Sequence, residues 1–227
     1  MDKHGVVRHI DRAGWWAGVV PTTERLPDVL GFLGTPVSSR RGGGIVDQLS
    51  PISAEQAAPR SLSAKYGFGA FPMHTDAAYL HVPPKYLALH YVSDKISKRP
   101  TLLWDLELIQ LPKDLLFNLQ REVWLVNGGR GRFLSSIRVE GSSTNESYWR
   151  FDLECMRPLS DVGAEVAREF EQHMSHVRPT EVHWQPDLLL ILDNWRVIHG
   201  RANGDHPEPE RVLERILIHK NQEAEGV

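Results

Sequence analysis

Two short segments, far apart in the chain, carry side chains suited to a metal site. The first is His74-Thr75-Asp76. The second runs from Asp193 to Arg201 and holds Asn194, Arg196 and His199. On an extended backbone alternate side chains point to one face, so His74 and Asp76 present an imidazole and a carboxylate together. A second imidazole from His199 would complete the three-ligand face of a non-haem iron(II) centre, with adjacent positions left open. A chelating co-substrate can take two of these positions and oxygen the third. Beyond His199 lies an apolar segment, Val212 to Ile218, that contains Arg215 and is preceded by Arg211. A guanidinium in a buried strand is costly without an anion. In strand periodicity Arg211, Leu213, Arg215 and Leu217 share a face. Arg215 can then form a bidentate pair with a dicarboxylate whose other end chelates the metal, and the Thr101 hydroxyl can share that carboxylate.

Positioning these groups requires strands. Leu188 to Leu192 has the length of a fully buried strand, with His199 expected at its end. With Val212 to Ile218 it is expected to form an antiparallel pair across a loop containing Gly204, Pro207 and Pro209. Further strands are expected over residues 61–71, 86–92, 101–106, 123–126, 132–139, 148–153 and 180–184, several of them separated by GG- and GSS-type turns. Helices are expected over 22–33, 51–59, 112–120 (with Pro in the first turn) and 161–177. In the last, Val162, Val166, Phe170, Met174 and Val177 fall on one stripe, and Ser160 or Asp161 can cap it. Many short strands with few helices predict one domain spanning 1–227, mainly β, a barrel or jelly roll braced by flanking helices.

Composition narrows the function class. The chain has 227 residues, 41% hydrophobic and 24% charged, as in ordinary globular proteins. A net charge of −3 argues against nucleic acid or an anionic membrane as partner. The single cysteine, Cys155, allows no internal disulfide. Neither a signal-type apolar stretch nor a membrane-length run is evident, so a cytoplasmic location is expected.

The segments FPMHTDAAYLHVPPKYLALHYV, PTLLW, DNWRVIHGR and RVLERILI resemble those of the taurine dioxygenase and clavaminate synthase-like family of iron(II)/2-oxoglutarate oxygenases. The resemblance covers roughly residues 60–219. It implies a double-stranded β-helix, the cupin-like jelly-roll core. It implies that His74, Asp76 and His199 bind Fe(II) and form the catalytic centre. It implies that Thr101 and Arg215, with Arg211 as helper, bind 2-oxoglutarate, and that O2 is consumed with release of succinate and CO2. Family halogenases replace the ligand carboxylate with Gly or Ala. Asp76 therefore implies hydroxylation of an unactivated C–H rather than halogenation. Family habit, with the arginines Arg40, Arg41, Arg138, Arg150 and Arg201, implies a small polar, amino-acid-derived metabolite of a biosynthetic pathway as substrate. Arg40, Arg41 and Arg201 are the substrate-binding candidates. Two departures stand out: Lys98, Arg99 and Pro100 precede Thr101 where the family often has glycines, and the chain is short. A reduced lid leaves either a more open pocket or one completed by a second subunit, a homo-oligomer.

Other readings of the same residues stand beside these. Arg215 can pair with a core carboxylate such as Glu154. Thr101 can be a strand former, and Asp193 and Asn194 turn formers. SSRRGGG at 38–44 can be a solvated loop or a lid, since glycine permits movement and arginine can hold a carboxylate. His173 and His176, three apart on a helix, read as a solvated face. An oxygenase of a protein or carrier-bound substrate, and a non-catalytic barrel that senses a dicarboxylate or metal, are the alternative functions.

Overall fold

The computed structural model describes all residues except 21–24, 41, 58–61, 129–130, 142–145, 205–206 and 222–227. The chain opens with helix α1 (Lys3–Ala13), closed by Gly14 in the left-handed region. Strand β1 (Trp15–Val19), helix α2 (Leu26–Leu30), β2 (Thr35–Val37), β3 (Asp47–Leu49) and α3 (Leu62–Tyr66) follow. Next come β4 (Phe71–His74), β5 (Tyr86–Tyr91), β6 (Thr101–Asp105), α4 (Lys113–Arg121), β7 (Trp124–Gly128), β8 (Gly131–Ser135), β9 (Arg138–Val139), β10 (Tyr148–Trp149) and β11 (Met156–Pro158). The chain continues with α5 (Asp161–Ser175), β12 (Thr180–Val182), β13 (Leu188–Asp193), β14 (Val197–Arg201) and β15 (Leu213–His219).

Two sheets make the core. The larger has the order β1-β13-β5-β15-β2, with β3 also pairing β15; the smaller has the order β12-β6-β14-β4. Every pairing within them is antiparallel. Leu87, Leu89, Leu103, Leu190, Leu192, Val197, Leu213 and Leu217 pack together as an interior cluster drawn from both sheets. The alternate residues Ala88, Leu189, Ile191, Ile216 and Ile218 pack in a second cluster with Val6 and Ile10 of α1 and Leu26 and Leu30 of α2. Burial on both faces explains why β13 and β15 read as near-continuous apolar runs. A third cluster joins Leu115 and Leu119 of α4, Val166, Phe170 and Met174 of α5, Trp124 and Val126 of β7, and Ile198 of β14.

Several expectations need correction. The strands at 188 and 213 are not partners, because β5 lies between them and pairs with both. His199 is not at the end of the first; it sits in β14, in the smaller sheet. Asn194 and Trp195 form a turn between β13 and β14, and its dense polar side chains hide the strand break. Residues 62–66 are helix rather than strand, and the strand begins at Phe71. Of the helix expected over 51–59, residues 51–57 are not helical, with a turn at 54–56, and 58–59 lie outside the described residues. The 132–139 segment divides into β8 and β9, and β10 stops at Trp149. Helix α1 was not anticipated, since its polar face dilutes the apolar signal of Val6 and Ile10. Helix α5 forms as expected, and Ser160 caps it by accepting from the Gly163 amide at 2.8 Å. Val162, assigned to its buried stripe, is 56% exposed in the first turn. No described helix is long and apolar enough to cross a membrane.

One buried ion pair ties α1 to the smaller sheet. Arg196 grips Asp105 with two bonds, Nε to Oδ1 at 2.7 Å and Nη2 to Oδ2 at 2.6 Å. It also donates to the carbonyls of Asp11 and Arg12 at the end of α1. Removing one partner leaves the other charge buried and unpaired. Arg196→Met is expected to lower unfolding free energy by about 3 kcal/mol in urea titrations; a loss below about 1 kcal/mol would show that the pair holds nothing together.

Candidate active site

Pairing of β14 with β4 sets His199 directly opposite His74. The ladder shifts register between His199 and Arg201, at Gly200. A Cβ on Gly200 would sit 2.8 Å from the Phe71 carbonyl oxygen, so a glycine is needed for the strands to approach this closely. The two imidazole centroids are 4.5 Å apart. Asp76 follows β4 and brings Oδ2 to 3.8 Å from His199 Nε2. All three side chains are buried.

Ring chemistry at this cluster fits a metal. His74 Nδ1 lies 3.0 Å from the Pro72 carbonyl; if it donates there, Nε2 keeps a lone pair for a ligand role. His199 is held well below the usual histidine range, at about 3. Burial is the main cause, aided by His74 and Arg215 and opposed by Asp76. A neutral imidazole needs a partner at each nitrogen. Yet His199 Nδ1 is buried with no hydrogen-bond partner, and 3.8 Å from Nε2 to Asp76 is too long for a hydrogen bond. The nitrogen turned toward Asp76 is Nε2, with no hydrogen bond among the described residues, and it is the atom that a cation shared with Asp76 and His74 would take. Among the described residues no three His, Cys, Asp or Glu side chains stand close enough together to hold a metal ion as they are placed. The fit rests on donor chemistry.

The Asp76 carboxylate is held below the usual carboxylate range. Burial pushes it upward, but Arg215, then His199 and His74, outweigh that effect. Asn194 fixes the backbone here: its Oδ1 accepts from the Asp76 amide at 2.9 Å, and its Nδ2 donates to the carbonyls of Asp76 and Pro84. Asn194 is thus more than a turn former, although its place between β13 and β14 gave no sign of this. Ala77 adopts a positive φ of 56°, uncommon for a residue with a Cβ. Arg150, fully buried, donates to the carbonyls of Ala78, Leu80 and His81 and braces the same loop.

The arginines fall into two groups. Arg215 sits in β15, with Nη1 2.8 Å from Asp76 Oδ1 and Nη2 2.8 Å from Asp47 Oδ2. Its carboxylate partners are these two, while Glu154 pairs with Lys65 and Tyr66. Arg211, just before β15, is 4% exposed, and its Nε has no hydrogen-bond partner. Burial, opposed chiefly by Glu208, lowers its pKa to about 10, while Glu208 itself is bound to Ser97 and the Lys98 amide. The guanidinium lies 5.9 Å from the Trp184 ring, and Trp184 Nε1 donates to Thr101 Oγ1 at 3.1 Å. Arg201 stands opposite Thr101 in the ladder. Burial first, then Arg211 and Arg99, lowers its pKa to about 10. Three guanidiniums near one another around Thr101 make a basic interior.

Of the residues expected to meet substrate, Arg201 donates to the carbonyls of Gly67 and Gly69 and stacks 3.7 Å from the Phe71 ring centroid. Arg40 is exposed on the 38–44 loop, and Arg41 lies outside the described residues. His176 is exposed just past the end of α5, and its Nδ1 lies 2.8 Å from the Gln172 carbonyl. Cys155 is half-buried, its thiol pushed up chiefly by burial.

No family model and no curated protein matches the sequence. The fold is the cupin-like jelly roll, mainly β with flanking helices, and it is shared with solved oxygenases. The chain is similar to asparagine oxygenase in complex with Fe(II), 2S,3S-3-hydroxyasparagine and succinate, with TM-score 0.73 and 17% identity over 96% of this chain and 78% of that one. It is similar to the non-heme iron oxygenase OrfP in complex with Fe and alpha-ketoglutaric acid, with TM-score 0.67 and 20% identity over 95% and 78%. It is also similar to the PvcB protein from Pseudomonas aeruginosa, with TM-score 0.70 and 18% identity over 96% and 80%. At these identities the likeness is one of fold.

A depressed histidine has a signature in stability. Above the unfolded value of 6.5 the ring is neutral in both states. As pH falls, the unfolded chain takes the proton and the folded chain does not until about 3, so stability drains away across that window. Asp193, raised by burial to about 6, acts oppositely between 3.8 and 6. Comparison with His199→Asn removes that background. Between about pH 7 and pH 4.5 the metal-free wild type is expected to lose about 2.5 kcal/mol more than the variant, at roughly 1.4 kcal/mol per pKa unit. Parallel stability curves would contradict the assignment.

Proposed function

We propose that this protein is an iron(II)- and 2-oxoglutarate-dependent oxygenase. Its substrate is a small polar, amino-acid-derived metabolite, hydroxylated at an unactivated C–H with release of succinate and CO2. The observation that carries the reading is the buried His199 ring, set opposite His74 by one strand pairing with Nε2 turned toward the Asp76 carboxylate. Further support is that proteins of this fold have been solved with Fe(II), alpha-ketoglutaric acid or succinate, and hydroxylated asparagine or arginine.

His74, Asp76 and His199 would hold the iron, which when bound supplies the activation of oxygen. The chain's task is to orient, to neutralise charge and to exclude water. Arg211 is favoured over Arg215 as the anchor for the far carboxylate of the keto acid. Arg215 is already bound to two carboxylates, whereas Arg211 has an unpartnered Nε and lies beside Trp184, which is bound to Thr101. A carboxylate there would relieve the repulsion among Arg211, Arg201 and Arg99 and could accept from the Thr101 hydroxyl. Leu103, Val197 and Leu213 pack in the interior cluster from these same strands and keep water away. Asp76 fills the carboxylate position, which favours hydroxylation over halogenation.

Anaerobic addition of Fe(II) and 2-oxoglutarate is expected to produce a visible charge-transfer band that His199→Ala abolishes. Arg211→Ala is expected to raise the 2-oxoglutarate half-saturation at least about tenfold, the loss of roughly 1.4 kcal/mol. An unchanged half-saturation would remove Arg211 from the role. Succinate formed above the uncoupled background with a member of an amino-acid panel separates an enzyme from a non-catalytic sensor.

A further inference from the structure

Asp47 faces Arg215 across the β3–β15 ladder. Its Oδ2 accepts from Arg215 Nη2 at 2.8 Å and from Nε at 3.3 Å, while its Oδ1 accepts from Ser39 Oγ at 3.0 Å. One edge of the guanidinium is thereby committed to Asp47, and Nη1 is left to bond Asp76 Oδ1 at 2.8 Å. The other oxygen of Asp76, Oδ2, points toward His199. Side-chain exposure is 16% for Asp47, 18% for Arg215 and 10% for Asp76, so solvent does little to screen the three charges. The Tyr79 hydroxyl donates to the Ser39 carbonyl at 2.6 Å and ties this corner to the loop behind Asp76.

Resting on the iron reading above, we propose that Asp47, acting through Arg215, is a positioning residue that holds one oxygen of Asp76 and leaves the other for the metal. Two physical reasons support it. An arginine paired with Asp76 alone could turn with it, but anchored across the ladder by two bonds it cannot. Charge matters equally. Arg215 and Asp76 alone would cancel, leaving little attraction for a divalent cation. Asp47 restores a net negative charge to the group. Arg215 is then a support for the metal carboxylate, which accounts for a cation in the middle of an apolar strand without a keto acid.

Co(II) titration followed by its d–d absorption tests this directly, with the full chain. Asp47→Ala is expected to weaken Co(II) binding about 10- to 100-fold and to change the band shape at saturating metal. Asp47→Glu should recover part of the affinity. Half-saturation by 2-oxoglutarate, at saturating metal, should move less than threefold. Ser39→Ala, which frees only the second oxygen of Asp47, should weaken Co(II) severalfold and decides the matter if Asp47→Ala does not fold. Unchanged Co(II) affinity and spectrum in the folded variants would overturn the inference, as would a loss confined to 2-oxoglutarate or amino-acid binding. Wild-type protein that takes up no equivalent of Co(II) would overturn the iron reading itself, and this inference with it.

Discussion

The antiparallel contact between β14 and β4 at His199 and His74 is the constraint on which the site depends. It brings residues more than a hundred positions apart face to face and leaves two imidazoles and a carboxylate in a dry interior. Burial makes the arrangement consequential. In water an imidazole is satisfied by solvent. Here the His199 ring has no hydrogen-bond partner at Nδ1 and reaches Asp76 only at 3.8 Å. A cation held between His199 Nε2 and the Asp76 carboxylate would give both a partner.

Around that contact the charges are sorted by position. Acids and Arg215 gather at the end marked by Asp47 and Asp76, where a metal would be held. Arg99, Arg201 and Arg211 gather near Thr101 and Trp184, where an anion would be held. Asp76 is favoured in its charged form by the Arg215 pair despite burial. Among the described residues Arg211 has no such compensation from a directly bonded acid, and its pKa falls to about 10. The same interior thus contains one arginine that is already neutralised and one that awaits a partner.

Much of this was legible in the sequence, for identifiable reasons. The isolation of His199 behind an apolar run and the arginines at strand periodicity depend on local geometry, which sequence reports well. His74 and Asp76 do lie near each other, but not on one extended segment: the strand ends at His74 and Asp76 falls in the turn after it. The jelly roll followed from many short strands. What did not follow was pairing partner: nothing local distinguishes β13 meeting β15 from β13 meeting β5, since all three are largely apolar. The roles of Arg215 and Arg211 were similarly hidden. Both face inward, and only the presence of Asp47 on a neighbouring strand assigns Arg215 to the carboxylate. Asp47 itself sits in a three-residue strand with no chemical signature, as Asn194 sits in a turn, so both were missed. Helix 62–66 was misread because Gly67 and Gly69 suggested an extended segment, whereas Gly67 closes the helix with φ 47°.

Anomalous diffraction at the iron edge, from crystals grown anaerobically with Fe(II) and 2-oxoglutarate, tests the central claim most directly. A single peak is predicted within ligand distance of His74, Asp76 and His199, with the keto acid extending from it toward Arg211. No peak there, or iron bound elsewhere while the three side chains stay empty-handed, would contradict the account.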